Sequence, residues 1–344
     1  MTRRPTIADI ARAAGVSKGA VSYALNGRPG VSATTRERIL AIATEMGFVP
    51  NRAARSLSVS SAQTVGIALR RPARTLGIEP FFMELISGME ATLSAGSFGL
   101  TIQIVTSQEE ELEVYRRWWA ERRVDGVLLC DIHVEDRRIE VVPSLGLPAV
   151  AVGGPIEGGR LAAVWHDDQE PCGEVLEYLY ALGHRRVARV AGLPHLLHTT
   201  IRDAAFGAAA RNVGLDSFTS IHADYTGEQG ARITRRLLTS AARPTAIVYD
   251  NDVMAVAGLG VAHELGVAVP EELSIVAWDD SPLCRLTHPT LTSLTRDITA
   301  YGSRCAELLL ARIGERGANP GEPAPSVQFL PAALSPRGST GPAA

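Results

Sequence analysis

Apolar residues recur with two different patterns along this chain, and the change falls near residue 60. In the first stretch Ile7, Ile10, Ala11 and Ala14 stand at i, i+3, i+4 and i+7, the stripe of an amphipathic helix. Thr6 is placed to cap it, Asp9 sets a carboxylate at its positive end, and Gly15 stops it. Only Val16 separates that stop from Ser17, a second N-cap, and Val16 with Val21 has hydrophobic-staple spacing. The second helix buries Val21, Ala24 and Leu25 and turns Lys18, Gly19, Ser22, Tyr23 and Asn26 outward. A third follows the turn at residues 26–30, with Thr34 and Glu37 at capping-box spacing. Its buried face is read as Ile39, Leu40, Ile42, Ala43 and Met46, and Gly47 ends it.

From Thr64 onward, short apolar runs alternate with longer amphipathic segments. Strands are expected at 65–69, 100–105, 126–130 and 149–152, with helices at 81–95 and 109–122 between them. The alternation restarts after Trp165: helices at 169–182, 201–213, 227–240 and 252–266 precede strands at 186–191, 218–222, 245–249 and 273–277. Such alternation predicts parallel sheets with helices on both faces, in two α/β lobes. Residues 50–57 are too few to hold a helix alone in water, and Ser58–Ser61 reads as a linker.

Charge sharpens this division. Residues 1–60 hold nine Lys/Arg against three acids, a surplus of six within a chain of net charge −3, so the remainder is nine units acidic. A basic head on an acidic body predicts a polyanionic partner for the head alone. A short helix held by a tight turn, with donors along its outer face, suits a DNA major groove. Lys18, the only lysine in the chain, can donate to guanine, and Ser22 and Asn26 to phosphates. No run approaches 18 apolar residues and the basic start leads into no apolar segment, so neither a membrane span nor a secretory signal is expected, and the cytoplasm is the expected compartment. The four cysteines, Cys130, Cys172, Cys284 and Cys305, are far apart and read as buried thiols. No dinucleotide, P-loop, HExxH or GxSxG signature occurs, and the acidic pairs Asp167-Asp168 and Asp279-Asp280 lack clustered His or Cys partners. Neither catalysis nor a metal or other cofactor is expected, which sets an enzyme aside; the basic head argues against a transport-type solute-binding protein.

The runs Thr6-Ile7-Ala8-Asp9-Ile10-Ala11, Gly15-Val16-Ser17, Val21-Ser22, Leu25-Asn26-Gly27 and Gly47-Phe48-Val49-Pro50-Asn51 resemble the head of the lactose-repressor (LacI/GalR) family. The resemblance continues through Pro80-Phe81-Phe82, Asn251-Asp252, Asp279-Asp280-Ser281-Pro282 and Pro289-Thr290-Leu291-Thr292. It implies a helix-turn-helix domain (1–49), a hinge helix and linker (50–62), and a periplasmic-binding-protein-like body. The first lobe would comprise 63–162 with 294–323 and the second 163–293 with 324–334. Crossovers would fall near 162, 293 and 324, and a last strand, about 326–332, would return to the second lobe. The Pro/Gly/Ser-rich residues 335–344 are expected to be disordered. Lacking a tetramerising heptad, the chain is expected to act as a homodimer, on double-stranded operator DNA.

The DNA-contacting set implied is Thr6, Ser17, Lys18, Gly19, Ala20, Ser22, Tyr23 and Asn26. Asn51 and Arg52 would join it from the hinge, with Leu57 wedging between base steps in the minor groove. Gly19 and Tyr23 depart from the common family pattern, so the operator sequence does not carry over. The effector, a sugar-like small molecule, would lie between the lobes against Phe81, Phe82, Arg202, Tyr225, Asn251 and Asp279. Arg202 would fork onto hydroxyls or a carboxylate, and Asp279 would accept hydrogen bonds. Glu79 stands where the family often has Asn, and Gly153-Gly154 where it often has Asp-Arg, which removes a polar clamp. Of the histidines, His133 and His166 read as loop or lobe residues, and His195 and His198 as candidates to face the cleft.

Overall fold

A computed structural model describes residues 5–48, 61–71, 77–156, 161–315 and 324–343. The chain divides into two compact units, Met1–Ala62 and Gln63–Ala344.

The first unit holds α1 (Ile7–Ala14), α2 (Lys18–Leu25) and α3 (Ala33–Glu45). Local chemistry sets their ends. Thr6 and Asp9 form a reciprocal capping box, Gly15 takes the left-handed conformation that closes α1, and the Ser17 hydroxyl caps α2. Ile10, Val21 and Ile39 meet at the fully buried centre, with Val16 and Leu25 packed against it. Two expectations for α3 need correction. Its cap is Ser32, whose hydroxyl accepts from Thr35 N, so the helix starts before Thr34. Leu40 and Met46 are 42% and 36% exposed, because Ile39 and Ala43 already fill the narrow contact that three short helices share. The expected hinge helix, with Asn51, Arg52 and Leu57, lies outside the described residues.

The second unit contains two six-stranded sheets. Strands β1 (Thr64–Leu69), β2 (Gly99–Ile104), β3 (Gly126–Leu129), β4 (Ala149–Val152), β5 (Ala162–His166) and β11 (Ser326–Phe329) form the first, in the order β11-β5-β4-β3-β1-β2. The second is ordered β12-β10-β9-β8-β6-β7, from β6 (Arg186–Ala191), β7 (Ser217–His222), β8 (Ala246–Tyr249), β9 (Ser274–Trp278), β10 (Thr292–Thr295) and β12 (Ala333–Ser335). All pairings are parallel except β10 with β12. Helices α4 (Pro80–Ala95), α5 (Gln108–Ala120), α6 (Arg138–Ser144) and α12 (Ile298–Gly314) cover the first sheet. Helices α7 (Gln169–Ala181), α8 (Leu197–Val213), α9 (Gly227–Leu238) and α10 (Asp252–Glu264) cover the second, and the short α11 (Pro282–Leu286) follows β9. Strands such as Gly126–Leu129 and Ala246–Tyr249 are buried throughout, as central parallel strands must be. In the pair Trp118 and Trp119, the first is buried and the second 49% exposed.

Three features depart from the sequence reading. Strand β5 belongs to the first sheet, so the chain crosses between lobes after His166, after Thr295 and after Phe329. Strand β11 does not return to the second lobe; it pairs with β5, Ser326 opposite Ala163. Sheet membership is decided by hydrogen bonds to residues far away in sequence, which a local pattern does not carry. The tail is also ordered. Arg337 forks onto Asp280 at 2.6 and 2.7 Å, Ser339 is fully buried between Ile275 and Thr292, and Ala343 N donates to Leu182 O at 2.7 Å. Its low hydrophobicity misled because polar side chains and backbone, not an apolar face, dock it.

Candidate nucleic-acid interface and interlobe cleft

On the first unit, α2 presents Lys18 and Gly19 exposed to solvent, Tyr23 at 44% exposure, and Ser22 and Asn26 partly. Two of these side chains already serve the fold: Asn26 Nδ2 donates to Ser22 O at 2.9 Å, and the Tyr23 ring rests against Gly30. A Cβ at Gly30, whose φ is +117°, would stand 3.1 Å from Tyr23 Cδ2, so glycine there seats the ring. Arg36 Nη2 donates to Arg28 O at 2.5 Å and ties this turn to α3. Thr6 and Ser17 spend their hydroxyls on caps, the latter accepting from Ala20 N at 3.1 Å. Lys18, Gly19 and Tyr23 therefore remain as the outward-facing chemistry of this helix.

In the second unit a cavity of about 90 Å³ lies between the lobes, against roughly 10–15 Å³ for one water on the same measure. The structure brings Phe81, Phe82, Arg202, Tyr225 and Asp279 to its wall. The two phenylalanines open α4, where Pro80 at the first helical position starts the helix, and their rings meet edge to face at 5.3 Å. Arg202, one turn before the buried Phe206 on α8, lies 3.7 Å from the Trp278 ring centroid and donates through Nε to Asp168 Oδ2 at 2.7 Å. Asp279 accepts from Arg296 Nε at 2.7 Å, and Arg296 in turn leans on Phe81.

Asn251 departs from its expected role. Its Oδ1 caps α10 by accepting from Met254 N at 2.9 Å, and its Nδ2 donates to Tyr225 O at 3.0 Å, so it positions Tyr225 and does not line the cavity. Between the candidate histidines, His198 lines the cavity and bonds the Tyr225 hydroxyl at 2.7 Å, whereas His195 stacks on His133 away from it. Burial, then the charge of Arg202, holds the His198 imidazole down at about 3, so it is neutral. His166, read as a lobe residue, also faces the cavity, 4.4 Å from the Tyr301 ring; burial and Arg296 bring it to about 4.

Sequence reasoning missed one group that ties several walls of the cleft together. Arg71, just past β1, forks onto Asp131 at 2.7 and 3.0 Å and packs between Phe82 and Tyr225. Burial opposes the Asp131 carboxylate, but Arg71 outweighs it and keeps Asp131 at about 2. Asp168 was visible only as half of an acidic pair; Arg202 overcomes its burial and holds it below the ordinary range. Three lining residues, Asp131, Tyr225 and Asp279, have φ of 50°, 67° and 68°, a left-handed backbone that is costly without glycine and tends to concentrate at binding sites. A Cβ on Gly192 would overlap the Tyr225 ring, so glycine at 192 makes room for it. No sequence pattern marks strained residues of ordinary type.

Comparison with known proteins fits both units. Residues 6–51 match the family described as bacterial regulatory proteins, lacI family, and residues 176–340 match a periplasmic binding protein-like domain. The HTH-type transcriptional regulator CelR of Thermobifida fusca is 32% identical over 316 residues, covering 90% of this chain and 92% of that protein. AglR of Rhizobium meliloti, another HTH-type transcriptional regulator, is 31% identical, covering 97% and 94%. Among solved structures, a LacI family transcriptional regulator from Bifidobacterium animalis superposes with a TM-score of 0.74 at 36% identity, over 83% of this chain and all of that one. A CelR–cellobiose complex gives 0.73 at 28% identity over 98% of this chain and all of that one. Among the described residues no helix is long and apolar enough to cross a membrane. The capped three-helix head, the two-lobed body and these full-length matches converge: the chain belongs to the LacI family of bacterial transcriptional regulators, a DNA-binding helix-turn-helix domain on a periplasmic-binding-protein-like body.

Proposed function

We propose that this regulator is a repressor that binds a pseudo-palindromic operator as a homodimer and changes its operator affinity when a hydroxyl-rich small molecule, most simply a sugar, occupies the interlobe cleft. The observation that carries this reading is the convergence of groups from both lobes on one cavity: Arg71, Phe81 and Phe82 from the first, Arg202, Tyr225 and Asp279 from the second. A ligand that touches both sides favours one lobe arrangement over another, and only such a difference in affinity can shift the equilibrium. A sugar suits the walls, since aromatic rings can cover its apolar faces and charged groups its hydroxyls. That the related CelR has been solved with cellobiose supports the same class. The homodimer is supported by β2, an edge strand of the first sheet that leaves Ile102 and Ile104 more than two-fifths exposed.

The test is a gel mobility shift with the full-length protein on an operator found by binding-site selection, repeated with a sugar panel and with Arg202→Ala. Release or tightening of the complex by a sugar, lost in Arg202→Ala, is the expected result. An unaltered response in that variant refutes the cleft assignment, and failure to select any DNA refutes the operator reading.

A further inference from the structure

Among the described residues, the cleft wall holds one more carboxylate than it has cations to pair. Among the described residues on its wall, Arg71, Arg202 and Arg296 each carry an acid of their own: Asp131, Asp168 and Asp279. Asp250 is held from behind by Arg189. Glu79 remains. It occupies the N-cap position of α4 yet its side chain makes no capping bond, and it faces the cavity instead. It is only 6% exposed, and its Oε2 has no hydrogen-bond partner among the described residues. A buried carboxyl oxygen without a donor is costly, so its presence in a binding cleft points to a ligand that supplies one.

The surroundings narrow the class of that ligand. Arg71 and Asp131 face Glu79 from the first lobe, and Asp279 and the Asn251 amide from the second, with Tyr225 beside Arg71. Three other cavity atoms also lack partners among the described residues: Asp168 Oδ1 and His166 Nε2, both acceptors, and Arg71 Nη1, a donor. A hydroxyl satisfies both kinds, because it donates and accepts. An anion adds charge to a wall whose described residues are already one carboxylate in excess. Burial pushes the Glu79 carboxyl up to about 7, Arg71 offsetting only part of that, so near neutral pH it holds a proton part of the time.

We propose that Glu79 sets the charge class of the effector: the cleft takes an uncharged, hydroxyl-rich ligand that donates to the Glu79 carboxylate, and rejects sugar phosphates and sugar acids. This rests on the reading of the cleft as an effector site. Because the ligand favours the ionised carboxylate, binding transfers the Glu79 proton to the buffer. Affinity therefore rises with pH, by at most about tenfold per pH unit below neutrality, and levels above it. An anionic ligand gives the opposite slope.

The full-length protein and Glu79→Gln are screened by thermal shift with glucose, maltose, cellobiose, glucose 6-phosphate and glucuronate. Responders are titrated calorimetrically from about pH 5.5 to 8, a window that spans the expected transition, in two buffers of different ionisation enthalpy. The expected responders are neutral sugars, with affinity climbing with pH and a proton released in the wild type, and neither effect in Glu79→Gln. A sugar phosphate or sugar acid that binds, and stops binding in Arg202→Ala, overturns the charge selection while leaving the cleft reading intact. A wild-type affinity independent of pH overturns the role of Glu79, as does a slope retained in Glu79→Gln. If Glu79→Gln does not fold, the wild-type slope and proton release still decide. A panel with no responder overturns the sugar-effector reading itself, and this proposal with it.

Discussion

The guanidinium of Arg71, in the first lobe, lies 4.7 Å from the ring centroid of Tyr225 in the second. The same group forks onto Asp131, so one side chain joins a largely buried ion pair to an aromatic contact across the cleft. Replacing Arg71 by Met keeps much of the stem but leaves the largely buried Asp131 without its cation. Loss of one partner of such a pair costs about 3–5 kcal/mol. Urea unfolding of Arg71→Met should show that loss, with partial recovery in Arg71→Met/Asp131→Asn. A double variant no more stable than the single one would mean that the ion pair is not the reason Arg71 is held there.

Glu79 makes stability depend on pH in a direction opposite to most carboxyls. Its folded value is raised by burial from the ordinary 4.5 to about 7, so the unfolded chain gives up this proton first as pH rises. Stability is full below about pH 4.5, falls as pH climbs through about 7, and is level above, a loss on the order of 3 kcal/mol. Thermal unfolding of wild type and Glu79→Gln across this range checks the point: the difference between them should grow with pH. Parallel curves would show that Glu79 titrates as an ordinary exposed carboxyl.

The tail is a second lever on stability, distant from the cavity in sequence but adjacent to it through one peptide bond. Arg337 grips Asp280, the neighbour of Asp279, and also donates to Leu291 O at 2.8 Å. Arg337→Ala should cost about 1.5–3 kcal/mol, the range for hydrogen bonds to charged groups. Calorimetric unfolding measures it, and a melting temperature equal to wild type would rule out the tail as a fastening of the second lobe.

On the head, Lys18→Ala should weaken operator binding by roughly 1–3 kcal/mol and relax base preference at one position of each half-site. Binding-site selection with the variant reads both effects. A selected sequence identical to that of the wild type would place Lys18 on the phosphate backbone instead.

The head was legible in advance because its determinants are local. Thr6 with Asp9, Gly15 and Ser17 sit within a few residues of the backbone groups they satisfy. The failures there, at Leu40 and Met46, came where packing among three helices rather than helical period chose which apolar residues to cover. In the body, element order follows from apolar runs, yet nothing local places β11 in the first sheet, since Ser326 to Phe329 are at most partly buried and their partner strand lies about 160 residues away. The cleft was half legible. Arg202 and Asp279 could be placed by resemblance, whereas Asn251, in a matching position, turned out to hold the Tyr225 backbone.

What the sequence determined by itself, then, is the parts: a capped basic head, two sets of alternating strands and helices, and a family. Those follow from short-range periodicity, caps and charge. Which residues meet was settled only by the tertiary structure. Arg71 pairs with Asp131 across 60 positions and reaches Tyr225 across a cleft, and Glu79 becomes a buried carboxyl with one oxygen unbonded among the described residues only because two lobes close around it. Burial, and with it the strength of every charge in the cleft, is a property of the assembled lobes and not of any segment.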